Sequence, residues 1–154
     1  MERAIFSLSV MLLLSSALCA QKSPVFITGN VAIKEYDAVA YFKQRKPVKG
    51  NKNFSYSWNG ANWYFSSKQN LDSFKTSPQK FAPQFGGYCA YGMAEGHKAP
   101  TDPYAWTIVN SKLYLNYNKE VQSLWKQKQN EYIQTAEKNW LKTKDEEQHI
   151  TYNN

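Results

Sequence analysis

The sequence predicts an α+β domain in which two β-hairpins are packed by several helices, the last of them long. Three observations carry that reading. Asn59-Gly60 lies between the aromatic runs Phe54, Tyr56, Trp58 and Trp63-Tyr64-Phe65, and Asn-Gly supplies the positive φ that a tight hairpin turn needs. Asn110-Ser111 separates Trp106 and Ile108 from Leu113-Tyr114-Leu115 in the same way. Val121, Leu124, Trp125, Tyr132, Ile133, Ala136 and Trp140 then recur at three- and four-residue spacing, which puts them on one face of a helix. No repeat of fixed period runs through the chain, and the two hairpins are expected to share one small antiparallel sheet with helices packed on it.

Taken in order, the first element is not part of the fold. Arg3 precedes an apolar stretch from Ala4 to Leu18, and small residues follow at Ser15, Ser16, Ala17 and Ala20. That layout predicts a secretory signal peptide over residues 1–20, too short for a comfortable transmembrane helix. Cleavage is expected after Cys19 or Ala20; a lipid-modified Cys19 is the alternative, disfavoured by Leu18 before it. Residues 21–30 read as a tether, 31–144 as the domain and 145–154 as a polar tail. The protein is thus expected to be exported, either periplasmic or secreted, and monomeric.

Within the domain, Val31-Ala32-Ile33 opens the apolar pattern, and Tyr36 to Phe42 reads as a short helix or turn docked on the core. Residues 43–53 carry Lys43, Arg45, Lys46, Lys49 and Lys52 and read as an exposed loop. After the first hairpin, Ser66 with Gln69 three residues on suggests a capping box. Leu71 and Phe74 extend that helix to about Lys75. Ser77-Pro78 predicts a second short helix to Phe81, with proline at its first position. Asn118 is the expected N-cap of the last helix.

The net charge is +7, and because Glu2 and Arg3 cancel it stays with the exported part. A basic chain usually suggests nucleic acid. Export and the spread of the lysines exclude that here and leave weak attraction to anionic envelope surfaces. Five Trp, eleven Tyr and eight Phe predict a core built from aromatics, with a stacking platform for sugars or nucleic acid as the alternative use.

One segment concentrates chemistry. Gly86-Gly87-Tyr88-Cys89-Ala90-Tyr91-Gly92-Met93-Ala94-Glu95-Gly96-His97 contains the single cysteine left after cleavage and one of two histidines. Cys89, Met93 and His97 follow at four-residue steps and offer sulfur and imidazole donors, a set suited to copper or zinc and, with two sulfurs, to copper first. A continuous helix through Gly92 and Gly96 is not expected. The opposing reading is a buried Cys89, with Met93 as core filler and His97 exposed. A thiol enzyme would need His97 beside Cys89, with Asp102 or Glu95 orienting the ring. No catalytic signature surrounds the cysteine, so a non-catalytic protein is expected.

The motifs Tyr36-Asp37-Ala-Val-Ala-Tyr-Phe42, Trp63-Tyr-Phe-Ser-Ser67, Asn70-Leu71 with Phe74, Phe85-Gly-Gly-Tyr-Cys-Ala-Tyr91 and Lys112-Leu-Tyr-Leu-Asn-Tyr-Asn118 occur in that order. In this the chain resembles exported single-domain proteins of the YHS-domain family, over roughly residues 31–141. The resemblance implies a metal-associated accessory role, since YHS domains accompany copper- and heavy-metal-transporting ATPases and some multicomponent monooxygenases. Short YHS domains of metal transporters carry cysteines where this chain reads Ala40, Ser66 and Asn70. A metal role here therefore falls to Cys89 with His97 and Met93.

Overall fold

The computed structural model describes residues 24–146. The expected signal peptide, both candidate cleavage points and most of the polar tail lie outside the described residues. Two units pack together. The first is a four-stranded sheet of β1 (Ile27–Thr28), β2 (Val31–Ala32), β3 (Asn51–Trp58) and β4 (Ala61–Phe65), in the order β1-β2-β4-β3. It is joined by α1 (Ala40–Lys43), α2 (Lys68–Thr76) and α3 (Pro78–Phe81). The second unit holds α4 (Ala90–Ala94), the hairpin β5 (Asp102–Val109) and β6 (Lys112–Asn116), α5 (Lys119–Gln127) and α6 (Gln129–Thr143).

The α+β class stands, but the hairpins do not share one sheet. The β5–β6 hairpin is a separate two-stranded sheet. The larger sheet is mixed, because β2 runs parallel to β4 through Val31 and Asn62. Pairing with β2 occupies the edge of β4 that another strand would need, and a register shift between Asn51 and Ser55 interrupts β3. The second hairpin therefore packs face-on. Leu113 and Leu115 enter the core beneath the first sheet, with Trp63, Phe65 and Phe74. Tyr114 points the other way, into a core of Phe85, Met93, Trp125 and Ala136. A strand buried on both faces is the partition between two cores, and the period-two alternation of its side chains is what allows it.

Both expected turns form, with positive φ at Asn59, Gly60, Asn110 and Ser111. Asn118 caps α5 by accepting from the Val121 N–H at 2.8 Å, and Pro78 sits in the first turn of α3. Three expectations shift. The packed chain begins before the end of the expected tether: Val25 and Phe26 are buried, and the Phe26 N–H donates to the Gly86 carbonyl at 2.8 Å. The N-cap of α2 is Ser67, whose side chain accepts from Asn70 N; Ser66 is diverted elsewhere, as described below. The last helix is two, broken at Lys128 (φ −134°, ψ 42°). An unbroken helix over 119–143 would run about 37 Å, past the edge of a small domain; the break folds α6 back onto the same core. Leu124 falls outside the apolar face and is exposed, while Trp125 is fully buried. Among the described residues no helix is long and apolar enough to cross a membrane.

Candidate functional site

Cys89 is the N-cap of α4. Its sulfur accepts from the Gly92 N–H at 3.4 Å and its thiol donates to Asn116 Oδ1 at 3.7 Å. The same oxygen takes the Tyr91 N–H at 3.2 Å, so one side chain on β6 holds both the cap and the first turn of the helix. Cys89 is 1% exposed. Burial pushes its thiol pKa up, against the opposing pull of the Gly92, Tyr117 and Tyr91 backbone N–H groups. A raised pKa and a closed site are the reverse of what a thiolate nucleophile needs.

Met93 lies one turn on and is fully buried. Its sulfur accepts from the Thr143 hydroxyl at 3.3 Å, which ties α4 to α6. The expectation against a helix here is half right. Gly92 is inside α4, whereas Gly96 ends it at φ +90°. The Gly96 N–H bonds the Met93 carbonyl and the His97 N–H bonds the Gly92 carbonyl, the paired bonds of a glycine-terminated helix end. His97 is therefore fixed in its backbone but exposed in its side chain. Its ring lies against Gly92, where an added Cβ would stand 3.4 Å from Nε2. The three candidate ligands thus border one helical turn, two from the inside and one from the surface. No described hydrogen bond joins His97 to Cys89, Met93, Asp102 or Glu95. Among the described residues no group of three or more His, Cys, Asp or Glu side chains could hold a metal ion.

A second polar centre escaped the sequence reading. Asp37 is fully buried. Its Oδ1 accepts from the N–H groups of Val39 at 2.8 Å and Ala40 at 3.2 Å. Its Oδ2 accepts from Ser66 N at 2.8 Å, Ser66 Oγ at 2.7 Å and Asn70 Nδ2 at 2.7 Å. One carboxylate thus pins the start of α1, the end of β4 and the first turn of α2. Ser66 is spent on it, which is why the N-cap falls to Ser67. Only the motif Tyr36-Asp37 hinted at this. An aspartate before a short helix looks like a local turn residue, and its other partners are 29 to 33 positions away.

The family model described as YHS domain matches residues 39–85. Residues 39–85 thus carry the likeness to the YHS domain, a family associated with metal binding. Neither the curated proteins nor the solved structures contain a match to the chain. The matched segment ends before Cys89. It contains no cysteine, no histidine and a single carboxylate, Asp72, which is exposed and paired with Lys68. At the three positions where short YHS domains of metal transporters carry cysteine, Ala40 has no donor atom, and Ser66 and Asn70 turn their hydrogens toward Asp37. That donor set does not fit a soft metal ion. The charge on Asp37 is met by five hydrogen-bond donors instead of a cation.

Proposed function

We propose that the protein is an exported, non-catalytic YHS-domain accessory protein that works by binding, with Cys89 as a structural thiol inside it. The observation that carries this is the buried, hydrogen-bonded Cys89 sulfur, capping α4 and held by Asn116, with its pKa pushed up by burial. Such a thiol neither attacks a substrate nor opens to an ion without α4 moving. Thiol alkylation at neutral pH tests it. Cys89 should react with iodoacetamide only as fast as the protein unfolds, and rapid reaction of the native chain would instead make it a thiol enzyme candidate. Export rests on the residue 1–20 pattern, and the intact mass of the chain recovered from its host checks it: a mass beginning at Met1 would end the reading. A monomer in weak contact with anionic envelope surfaces completes the proposal.

A second reading, a copper-type site, is favoured by one arrangement. Cys89, Met93 and His97 all border the turn at Gly92, so a small opening of α4 could turn both sulfurs toward the imidazole. Titration with copper(I) or zinc, compared with Cys89→Ser, separates the two. Binding that the substitution abolishes supports the metal protein; equal or absent binding in both supports the structural thiol.

A further inference from the structure

The two units meet in a cleft of about 290 Å³, at the lower end of the size of small-molecule sites. Trp58 and Asn59 reach it from the β3–β4 turn, Trp63 from β4, Gln79 and Gln84 from α3 and the segment after it, and Trp140 from α6. Two features point to the chemistry of its ligand. No Lys, Arg, His, Asp or Glu among the described residues lines it, although the chain carries a net charge of +7. The larger depression beside α2 and α3, of about 710 Å³, is lined in part by Lys43, Lys68, Lys80 and Asp72, whereas the depression at the β3–β4 turn is neutral too and shares Trp58 and Asn59 with this cleft. The cation nearest these rings, Lys98, stands 5.8 Å from the Trp140 centroid but is held by the Lys144 and Glu146 carbonyls and is not part of the lining.

The second feature is the donor and acceptor balance. Trp58 and Trp140 are half-buried, one from each unit, while Asn59, Gln79 and Gln84 stand at the rim, exposed or half-exposed. None of these three side-chain amides makes a hydrogen bond with the described residues. Each offers a carbonyl acceptor and an NH₂ donor. Indole faces beside unpaired neutral amides match a molecule with an apolar C–H face and a ring of hydroxyls, each both donor and acceptor. We propose that this cleft binds a neutral saccharide, one sugar ring stacking on the tryptophans while its hydroxyls pair with Asn59, Gln79 and Gln84. A peptide fits less well. A proline-rich segment offers carbonyl acceptors but no N–H at each proline, which leaves the amide carbonyls at the rim short of donors.

The cleft is built before any ligand arrives. A Cβ on Gly86, at φ +62°, would stand 1.8 Å from the Pro24 carbonyl oxygen, so only glycine lets the chain entry close against this wall. The Phe26 to Gly86 hydrogen bond holds it there. A preformed wall spares the ordering cost of binding. The proposal is independent of whether Cys89 takes a metal.

Tryptophan fluorescence and calorimetric titration of the full chain test it. The probes are neutral gluco-, galacto-, manno- and N-acetylglucosamine tetrasaccharides, with a hyaluronan tetrasaccharide and a proline-rich decapeptide as controls. At least one neutral saccharide should give a saturable change and bind more tightly than either control. The double substitution Gln79→Ala, Gln84→Ala, at positions where the fold has little at stake, should weaken it about tenfold or more, as loss of two hydrogen bonds would. No saturable change with any neutral saccharide, stronger binding of the acidic saccharide or the peptide, or an affinity untouched by the double substitution would each overturn the proposal.

Discussion

Two buried polar centres lie one in each unit, and they are built on opposite principles. At Asp37 every acceptor is matched: five donors from three segments converge on one carboxylate. At Cys89 the matching is incomplete. Asn116 Oδ1 takes two donors, yet Asn116 Nδ2 and the Trp125 Nε1 in the same unit are buried with no hydrogen-bond partner among the described residues. An unmatched buried donor costs roughly 1–3 kcal/mol, so the second unit carries a deficit that its aromatic packing must cover. Tyr114 stacks on Trp125 at 5.4 Å and Phe85 on Tyr114 at 5.9 Å. The first unit therefore gathers its buried polar bonds on one residue above a large aromatic core, and the second leaves buried donors to be offset by packing alone.

The sharpest way to break that comparison is at Asp37. Asp37→Ala strands the N–H groups of Val39 and Ser66 together with the Ser66 hydroxyl and Asn70 amide donors, while the Ala40 N–H keeps its bond to the residue 37 carbonyl. It should cost about 5 kcal/mol, toward the top of the range for point substitutions. Asp37→Asn keeps the shape but turns one NH₂ against those donors, and should recover only part of the loss. Urea unfolding measures both. A cost near 1 kcal/mol for the alanine variant would mean that water or local movement rescues the donors, and the contrast between the units would collapse.

Trp125 sharpens the other side. Trp125→Ala removes a fully buried indole and should cost about 3–5 kcal/mol, nearer the lower figure because the stranded N–H leaves with it. Trp125→Phe keeps a ring against Tyr114 and deletes the unmatched donor. It should cost only about 1 kcal/mol. Equal losses in the two variants would show that Nε1 has a partner after all, and that the second unit is as exactingly matched as the first.

The same contrast explains what could be read from the sequence. Turns and caps are local, and Asn59-Gly60, Asn110-Ser111, Ser77-Pro78 and Asn118 could be placed from neighbouring residues alone. The Asp37 knot is non-local: Ser66 reads as the N-cap until the carboxylate that claims it, together with Asn70, is in place. The break at Lys128 has no Gly or Pro to announce it. It follows from where the core lies, which also draws in Val25 and Phe26 from what reads as a polar tether. The separation of the two sheets has the same origin, since nothing in residues 54–65 reveals that β2 will take the free edge of β4. At Cys89 the residue types allowed both a ligand set and the buried thiol with Met93 as core filler and His97 exposed, which is the arrangement found; what neighbouring residues did not reveal was Asn116, 27 positions away, which fixes the thiol.

The smallest effect is confined to the second centre and appears only in alkali. Burial raises the Cys89 thiol pKa above its ordinary value, which is about 8.5. Below that value the folded and unfolded chains both hold the proton, and its contribution to stability is fully present. As pH rises further, the unfolded chain releases the proton while the folded chain keeps it. Stability then falls, by at most about 1.4 kcal/mol per pH unit, until the folded pKa is passed. Burial raises Tyr41 and Tyr114 as well, but tyrosine losses begin only near pH 10. Between about pH 8.5 and 10 the slope should therefore belong to Cys89. Serine is a favoured N-cap, so Cys89→Ser should leave α4 in place and unfold with a flat profile across that window, ending about 1 kcal/mol less destabilised at pH 9.5. Asp37→Asn should keep the wild-type slope from a lower starting point. A wild-type profile flat to pH 10 would place the thiol in contact with water and undo the reading of Cys89 as a sealed structural cap.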